Sequence, residues 1–229
     1  MQVTLVKKIN NAIDVRSFVF KPQKTFKWKA GQYIFYEIKH SNPDERGIVR
    51  HFSISSAPYE KNLMLTTRFS QGRVSTFKQA LDNLAIGDKV RAFSLGGEFT
   101  LENPKERYVF IAGGIGITPY RSILMDLAHK NSLKEITLLY ANRDKEIIFR
   151  DELDKLMQEN SGLKISYVIE PERIGAELIK KEVPDFSERN FYISGTKSMV
   201  DALGKIIQNM GIKNNAVKLD FFPGYSGKY

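Results

Sequence analysis

Apolar and polar residues alternate through much of the first hundred positions. Asp14-Val15-Arg16-Ser17-Phe18-Val19-Phe20 has the period of two expected of a half-buried strand. Residues 31–38, 50–55, 63–69 and 89–93 continue the pattern with β-branched and aromatic side chains, the last behind a Gly87-Asp88 turn signal. One helix interrupts them: Ser75 is placed to cap it, and Phe77, Leu81 and Leu84 fall on one face. Many short strands separated by turns predict an antiparallel β-barrel over residues 1–101.

After a polar stretch at 101–107 that contains Pro104 and reads as a linker, the pattern changes. Tyr108-Val109-Phe110-Ile111-Ala112 is apolar without alternation, as a parallel strand buried on both faces should be. Similar runs recur at 136–141, 163–169, 191–194 and 217–222, with helical patterns at 149–159 and 197–210. Strand and helix in turn predict a doubly wound α/β domain over residues 107–229.

The chain has no cysteine, which excludes disulfides, thiol catalysis and cysteine-held iron–sulfur clusters. Its three histidines, His40, His51 and His129, are scattered without metal-ligand spacing. Redox chemistry would therefore need a bound organic cofactor. With 35 basic and 26 acidic residues the formal charge is +9, which suits nucleic acid, an anionic cofactor, an acidic protein partner or simply a solvated basic surface. No apolar run is long enough to span a bilayer and the N-terminus lacks the order of a secretory signal, so a cytoplasmic location is expected.

Two segments carry chemistry. Gly113-Gly114-Ile115-Gly116-Ile117-Thr118-Pro119 follows the first buried strand and opens a helix. Glycines permit a sharp turn and close approach of a ligand, Thr118 is placed as the helix cap, Pro119 suits the first turn, and free N–H groups there would face an anion. The other reading is a tight turn with no ligand. Arg50-His51-Phe52-Ser53 combines a fixed cation, an aromatic ring and a hydroxyl. On a strand Arg50 and Phe52 point one way, His51 and Ser53 the other. A flavin dinucleotide needs all three functions, for its diphosphate, its ring and its N5. Gly72-Arg73-Val74-Ser75 opens the only helix of the first half, a second place able to hold phosphate.

Taken in order, these motifs resemble the ferredoxin–NADP⁺ reductase family over nearly the whole chain. The resemblance implies a barrel that binds FAD and an α/β domain that binds NAD(P)H. Arg50-His51-Phe52-Ser53 resembles the R-x-Y-S motif, with Arg50 on the diphosphate, Phe52 on the flavin and Ser53 near N5. Thr66, Thr67 and Arg68 align with the strand lining the FAD; Gly72, Val74 and Ser75 resemble the phosphate loop. Gly113, Gly114, Gly116, Ile117, Thr118 and Pro119 resemble the nicotinamide loop. Tyr192-Ile193-Ser194-Gly195-Thr196 resembles Y-x-C-G-P, with Ser194 and Thr196 replacing cysteine and proline. Asp220-Phe221-Phe222 resembles the acidic-x-aromatic ending, which would place Asp220 near N5 and Phe222 over the other flavin face; buried packing is the alternative for Phe222. The tail beyond it carries a further aromatic, Tyr225.

Ser53, Ser194 and Asp220 are thus the candidate catalytic residues. At the end of the second α/β strand, Arg143 and Lys145 favour the phosphate of NADPH, while Asp144 favours NADH. The expected reaction is hydride transfer from NAD(P)H to FAD, then electron transfer to a separate acceptor such as an acidic ferredoxin or flavodoxin. A free-flavin reductase, an oxygenase reductase component, and a non-catalytic FAD-binding subunit are the alternatives. The glycine turn and the Arg50–Ser53 segment argue against a nucleic-acid partner.

Overall fold

The alternating half folds into six antiparallel strands: β1 (Gln2–Ala12), β2 (Val15–Pro22), β3 (Tyr33–Glu37), β4 (Val49–Ser53), β5 (Leu63–Arg68) and β6 (Lys89–Gly96), paired in the order β4-β3-β6-β1-β2-β5. The computed structural model describes residues 1–69, 74–103 and 106–222. Alternate residues turn inward. Val3, Leu5, Phe18, Phe20, Ile34, Tyr36, Leu63, Leu65 and Ala92 form one buried core, and helix α1 (Thr76–Asn83) covers it with Phe77 and Leu81. Ser75 caps that helix as expected, its Oγ accepting from the Lys78 N–H at 3.3 Å. The two edge strands meet just past β4: Ile54 bridges Leu65, and the Ser55 N–H reaches the Met64 carbonyl at 2.8 Å.

β1 is the strand that alternation misses. Its register against β2 slips between Leu5 and Lys7 and between Asn10 and Ala12, so the period of two is broken twice. β5 departs from alternation for another reason. Leu63 and Leu65 face the sheet's own core while Met64 packs into the core of the second half.

That second half is a five-stranded, all-parallel sheet of β7 (Tyr108–Gly113), β8 (Ile136–Asn142), β9 (Leu163–Ile169), β10 (Asn190–Thr196) and β11 (Val217–Phe222), in the order β11-β10-β7-β8-β9. One face packs on α2 (Thr118–His129) and α3 (Arg150–Glu159), through Tyr120, Ile123, Leu124 and Leu153. The other packs on α4 (Ala176–Glu182) and α5 (Lys197–Asn209), through Ile179, Val200, Leu203 and Ile207. α4 spans seven residues and buries only Ile179, too little for a periodic signal. The strand order reverses between β7 and β10, which leaves a crevice beyond their C-terminal ends, the usual ligand position of an open α/β sheet.

The segment read as a linker is tied down where it is described. The Tyr108 hydroxyl donates to the Asn103 carbonyl at 2.7 Å and Lys218 Nζ to Glu102 Oε1 at 2.7 Å, while just before the segment Phe99 packs edge-on to Tyr120 and Tyr192 and the Tyr192 hydroxyl donates to the Thr100 carbonyl at 3.0 Å. The halves are further joined by Ser122 Oγ, which donates to the Ser56 carbonyl at 2.7 Å, and by Arg121, buried between Glu60, Glu152 and the Ser55 carbonyl. No helix among the described residues is long and apolar enough to cross a membrane.

Candidate functional site

The crevice at the strand switch is built around the glycine turn. β7 ends at Gly113, and Gly114–Ile117 makes a 3₁₀ turn that runs straight into α2. Gly114 takes a left-handed φ of +51°, and the space a Cβ would fill there is open. Gly116 has no such room: a Cβ would lie 2.3 Å from the Ser194 carbonyl oxygen. At Gly113 a Cβ would meet the Met199 sulfur at 2.2 Å, the far part of a flexible side chain. The turn therefore lies directly on the end of β10, and only Gly114 leaves backbone open to a ligand. Gly116→Ala should lower stability by about 1–3 kcal/mol in urea unfolding, because backbone and not a flexible side chain stands in the way.

Thr118 and Pro119 are arranged differently from the expectation. Thr118 is the first residue inside α2, not its cap, and its hydroxyl donates to the Ile115 carbonyl at 3.1 Å. The 3₁₀ turn takes up the backbone N–H of Thr118 as well, so the helix start offers fewer free donors than a capped one. Ile117 is fully buried in the core.

Beside the turn, the parallel register sets Ser194 opposite Asp220 and Thr196 opposite Phe222. Ser194 is fully buried, and its Oγ donates to Asp220 Oδ2 at 3.1 Å. Burial pushes the Asp220 carboxyl above its usual range, partly offset by the Ser194 hydrogen bond and by the nearby His51. Asp220 and Phe222 share one face of β11, half-buried, while Leu219 and Phe221 are exposed on the other. Thr196 caps α5, its Oγ1 accepting from the Met199 N–H at 3.4 Å, which gives threonine a purpose where the resemblance leads one to expect proline.

His51 brings the antiparallel half to this place. It packs on Tyr33 and Phe35 with ring centroids 5.0 and 5.2 Å away. Ser53, 8% exposed, follows on the same face of β4, and its hydroxyl makes no hydrogen bond among the described residues. Arg50 and Phe52 point to the opposite face, toward α1. The Phe52 ring stacks on Phe77 at 5.9 Å and meets Tyr36 edge-on at 6.2 Å. It is thus half-buried against the helix and not a free-standing aromatic platform.

Arg50 lies 5.5 Å over the same Phe77 ring. Its Nη2 donates to Asp44 Oδ1 at 2.7 Å and its Nη1 to the carbonyls of Arg46, Gly47 and Val49 at 2.6, 3.1 and 2.6 Å. Its Nε is buried with no hydrogen-bond partner among the described residues. Arg46 lies near it, and Arg46 and Arg68 lie near Lys78. Burial, with Arg46 and Arg68 adding to it, pushes the Lys78 ammonium down to about 8. This concentration of cations at the start of α1, with one guanidinium N–H unspent, fits a phosphate-bearing ligand. Val74 contributes a carbonyl that Gln79 already takes at 3.0 Å, and Gly72 lies outside the described residues, as does the tail that carries Tyr225.

Other expected flavin-lining residues are spent inside the sheet. Thr66 Oγ1 is hydrogen-bonded to Ser17 Oγ at 2.7 Å and Thr67 is buried. Arg68 grips both Asp14 oxygens at 2.9 and 3.0 Å. Beyond β8, Arg143 and Lys145 are exposed and form no ion pair among the described residues. Asp144 is turned back, its Oδ1 accepting from the Glu146 N–H at 2.9 Å, and Glu146 accepts from the Ile13 N–H at 3.2 Å.

Sequence reasoning missed Asp44, Lys78 and Arg121. Only Arg121 left a signal: an arginine directly after Tyr120 and two residues before Ile123-Leu124, on a helix that is otherwise apolar toward the core.

Comparison with known proteins agrees with this architecture. Residues 110–205 match the oxidoreductase NAD-binding domain. The flavohemoprotein of Pseudomonas putida is 26% identical over 95% of the chain and 58% of its own length. Among solved structures, the cytochrome P450 reductase GcoB of Amycolatopsis superposes with a TM-score of 0.84 at 23% identity, covering 99% of this chain and 71% of that one. The ferredoxin–NADP⁺ reductase of Plasmodium falciparum gives 0.82 at 22% identity, covering 96% and 95%. The chain spans about half to three fifths of the length of the curated relatives it matches, from 47% to 60%. The chain thus carries an oxidoreductase NAD-binding domain behind an antiparallel sheet, and over nearly its whole length it is similar in fold and motif order to ferredoxin–NADP⁺ reductase-like flavoproteins.

Proposed function

We propose that this chain is an NAD(P)H-dependent flavin oxidoreductase that binds FAD between its two sheets and passes electrons to a separate acceptor. The observation that carries this reading is the hydrogen-bonded pair Ser194–Asp220 at the ends of β10 and β11, roofed by Gly116 and faced by His51 of the other sheet. In this reading residues 1–101 form the FAD-binding unit, their sheet curled into a barrel through the Ile54–Leu65 bridge, and residues 107–229 the nicotinamide-binding unit. A bound FAD would supply the redox chemistry, accepting a hydride from the nicotinamide and releasing the electrons onward.

The chain's own residues bind and orient. Arg50, together with the start of α1 at Val74 and Ser75, holds the flavin's diphosphate. Phe52, steadied by Phe77, offers a ring edge to the flavin, and Phe222 stands on the side of β11 that faces the cleft. The open backbone at Gly114 receives the dinucleotide's phosphates, with Gly195 and Thr196 beside it. Ser53 has a hydroxyl to offer the flavin. Ser194 fixes the Asp220 carboxyl, and burial raises that carboxyl above its usual range. Packing around the fully buried Ser194 excludes water from the reacting side.

NADPH is the preferred donor in this account. Arg143 and Lys145 are exposed and form no ion pair among the described residues, and the Asp144 carboxylate that would favour NADH is held by the backbone of its own turn. The double substitution Arg143→Ala, Lys145→Ala should raise KM for NADPH about 10–100-fold and leave KM for NADH within about threefold, in steady-state assays with a dye acceptor. The charge of +9 favours an acidic one-electron carrier, a ferredoxin or flavodoxin, through steering. Turnover with an acidic ferredoxin, a flavodoxin, free FMN and dioxygen tests this: carrier turnover that falls steeply with salt supports it, and fast turnover of free FMN with no response to either carrier overturns it.

A further inference from the structure

Asp44 occupies the place assigned above to the flavin's diphosphate. Its Oδ1 accepts from Arg50 Nη2 at 2.7 Å and from the Arg46 N–H at 3.1 Å, and its Oδ2 accepts from the Thr76 N–H, the first of α1, at 3.3 Å. One carboxylate thus bridges a guanidinium and a helix start, which is how a phosphate oxygen pair is bound. The Asp44 side chain is only 7% exposed, and its own N–H donates to Thr76 Oγ1 at 2.9 Å. Burial raises its pKa, but the Arg46 and Thr76 N–H groups and the Arg50 charge outweigh that and hold the carboxyl below its ordinary value, so it is an anion at neutral pH.

The surroundings leave charge to spare. Arg46, Arg50, Arg68 and Lys78 stand against Asp14, Asp44 and Glu45, and the buried Nε of Arg50 has no acceptor among the described residues. Asp44 also sits on a loop whose neighbours Ser41, Asn42, Pro43, Glu45 and Arg46 are exposed, so the carboxylate can leave without unpacking a core. A diphosphate and Asp44 cannot both take the Thr76 N–H, a single donor that Asp44 already holds, and they compete for the Nη2 edge of Arg50 that Asp44 now covers.

We infer that Asp44 is an internal counter-anion in the diphosphate cradle, displaced when flavin binds, and that it therefore sets how tightly the chain holds its flavin. The inference rests on the reading of Arg50 as the diphosphate anchor. Its consequence is a flavin held less tightly than the cradle alone would allow, with the empty cradle kept folded and neutralised.

Calorimetric titration of flavin-free protein tests it with FAD, FMN and inorganic pyrophosphate as probes. Asp44→Asn should lower the Kd for FAD about tenfold, and the Kd for pyrophosphate by a similar factor, because a competing anion is removed while a cap for Thr76 is kept. FMN should gain as well, through its single phosphate. Asp44→Ser, which retains a hydroxyl for the helix start, carries the same comparison if the asparagine variant fails to fold. Unchanged or weaker FAD binding in these variants, with Arg50→Gln weakening it, would show that Asp44 only positions Arg50 and would overturn the inference while leaving the anchor in place. A gain for FAD without a gain for pyrophosphate would place the effect elsewhere on the flavin and overturn it too. An Arg50→Gln protein that binds FAD like the wild type would instead overturn the anchor reading itself.

Discussion

Arg50→Gln will weaken FAD binding by about 10–100-fold. A hydrogen bond from an ionised donor contributes about 1.5–3 kcal/mol when its partner is lost, and the guanidinium lies over Phe77 in the first turn of α1. Glutamine keeps an amide to donate but no charge. The change also strands Asp44, which is nearly buried and already paired to Arg50 at 2.7 Å. Stability should therefore fall in the same variant, by about 1–3 kcal/mol. Adding Asp44→Asn should recover much of that stability but only part of the affinity. Flavin titration and urea unfolding on the four proteins of the cycle separate the two effects. Equal losses of affinity and stability across the cycle would mean that Arg50 holds the fold alone.

The larger effect on stability belongs to Arg121→Ala. The Arg121 side chain is 7% exposed and reaches Glu60 in the antiparallel half and Glu152 on α3, at 3.0 and 2.7 Å. Its Nη1 also donates to the Ser55 carbonyl at 2.9 Å, and its guanidinium lies 5.3 Å over the Phe149 ring. Burial lowers its pKa, yet the two carboxylates more than restore it, so the group stays charged. Removing one partner of such a buried arrangement costs about 3–5 kcal/mol. Glu152 is partly exposed and would recover some hydration, so about 3 kcal/mol is expected. For a chain of this length that is roughly 6–12 °C in Tm. Circular dichroism melts check it, and a shift below about 2 °C would mean the halves are held by apolar packing alone. Arg121→Lys should fall in between, since a single ammonium cannot serve three acceptors in a fork.

Much of this was legible in the sequence because the two halves obey different periodicities. The five parallel strands appear as unbroken apolar runs because both faces are covered, by α2 and α3 on one side and α4 and α5 on the other. The glycine turn was legible for a similar reason: Gly116 is demanded by backbone contact with Ser194, a constraint that no other residue meets. β1 was lost to its register slips, and α4 to its shortness. The site was legible as a set of motifs but not as a set of contacts. Nothing in the spacing of Asp44 and Arg50 says that the two ion-pair, because the pairing depends on how the loop before β4 folds back on α1. Nothing at Thr66 says that its hydroxyl turns to Ser17 instead of outward, since both directions suit a strand. Thr118 was misread as a cap because a 3₁₀ turn before α2 shifted the helix start by one residue.

The central claim is that flavin and nicotinamide meet in the crevice where Ser194, Asp220 and His51 come together. Anaerobic addition of one equivalent of NADPH to the FAD-loaded protein tests it most directly, with the long-wavelength flavin band followed in the wild type and in Gly116→Ala. The account predicts rapid bleaching of the wild-type band and much slower bleaching in the variant. A protein that takes up no FAD, or holds a flavin that neither NADPH nor NADH bleaches, would contradict it.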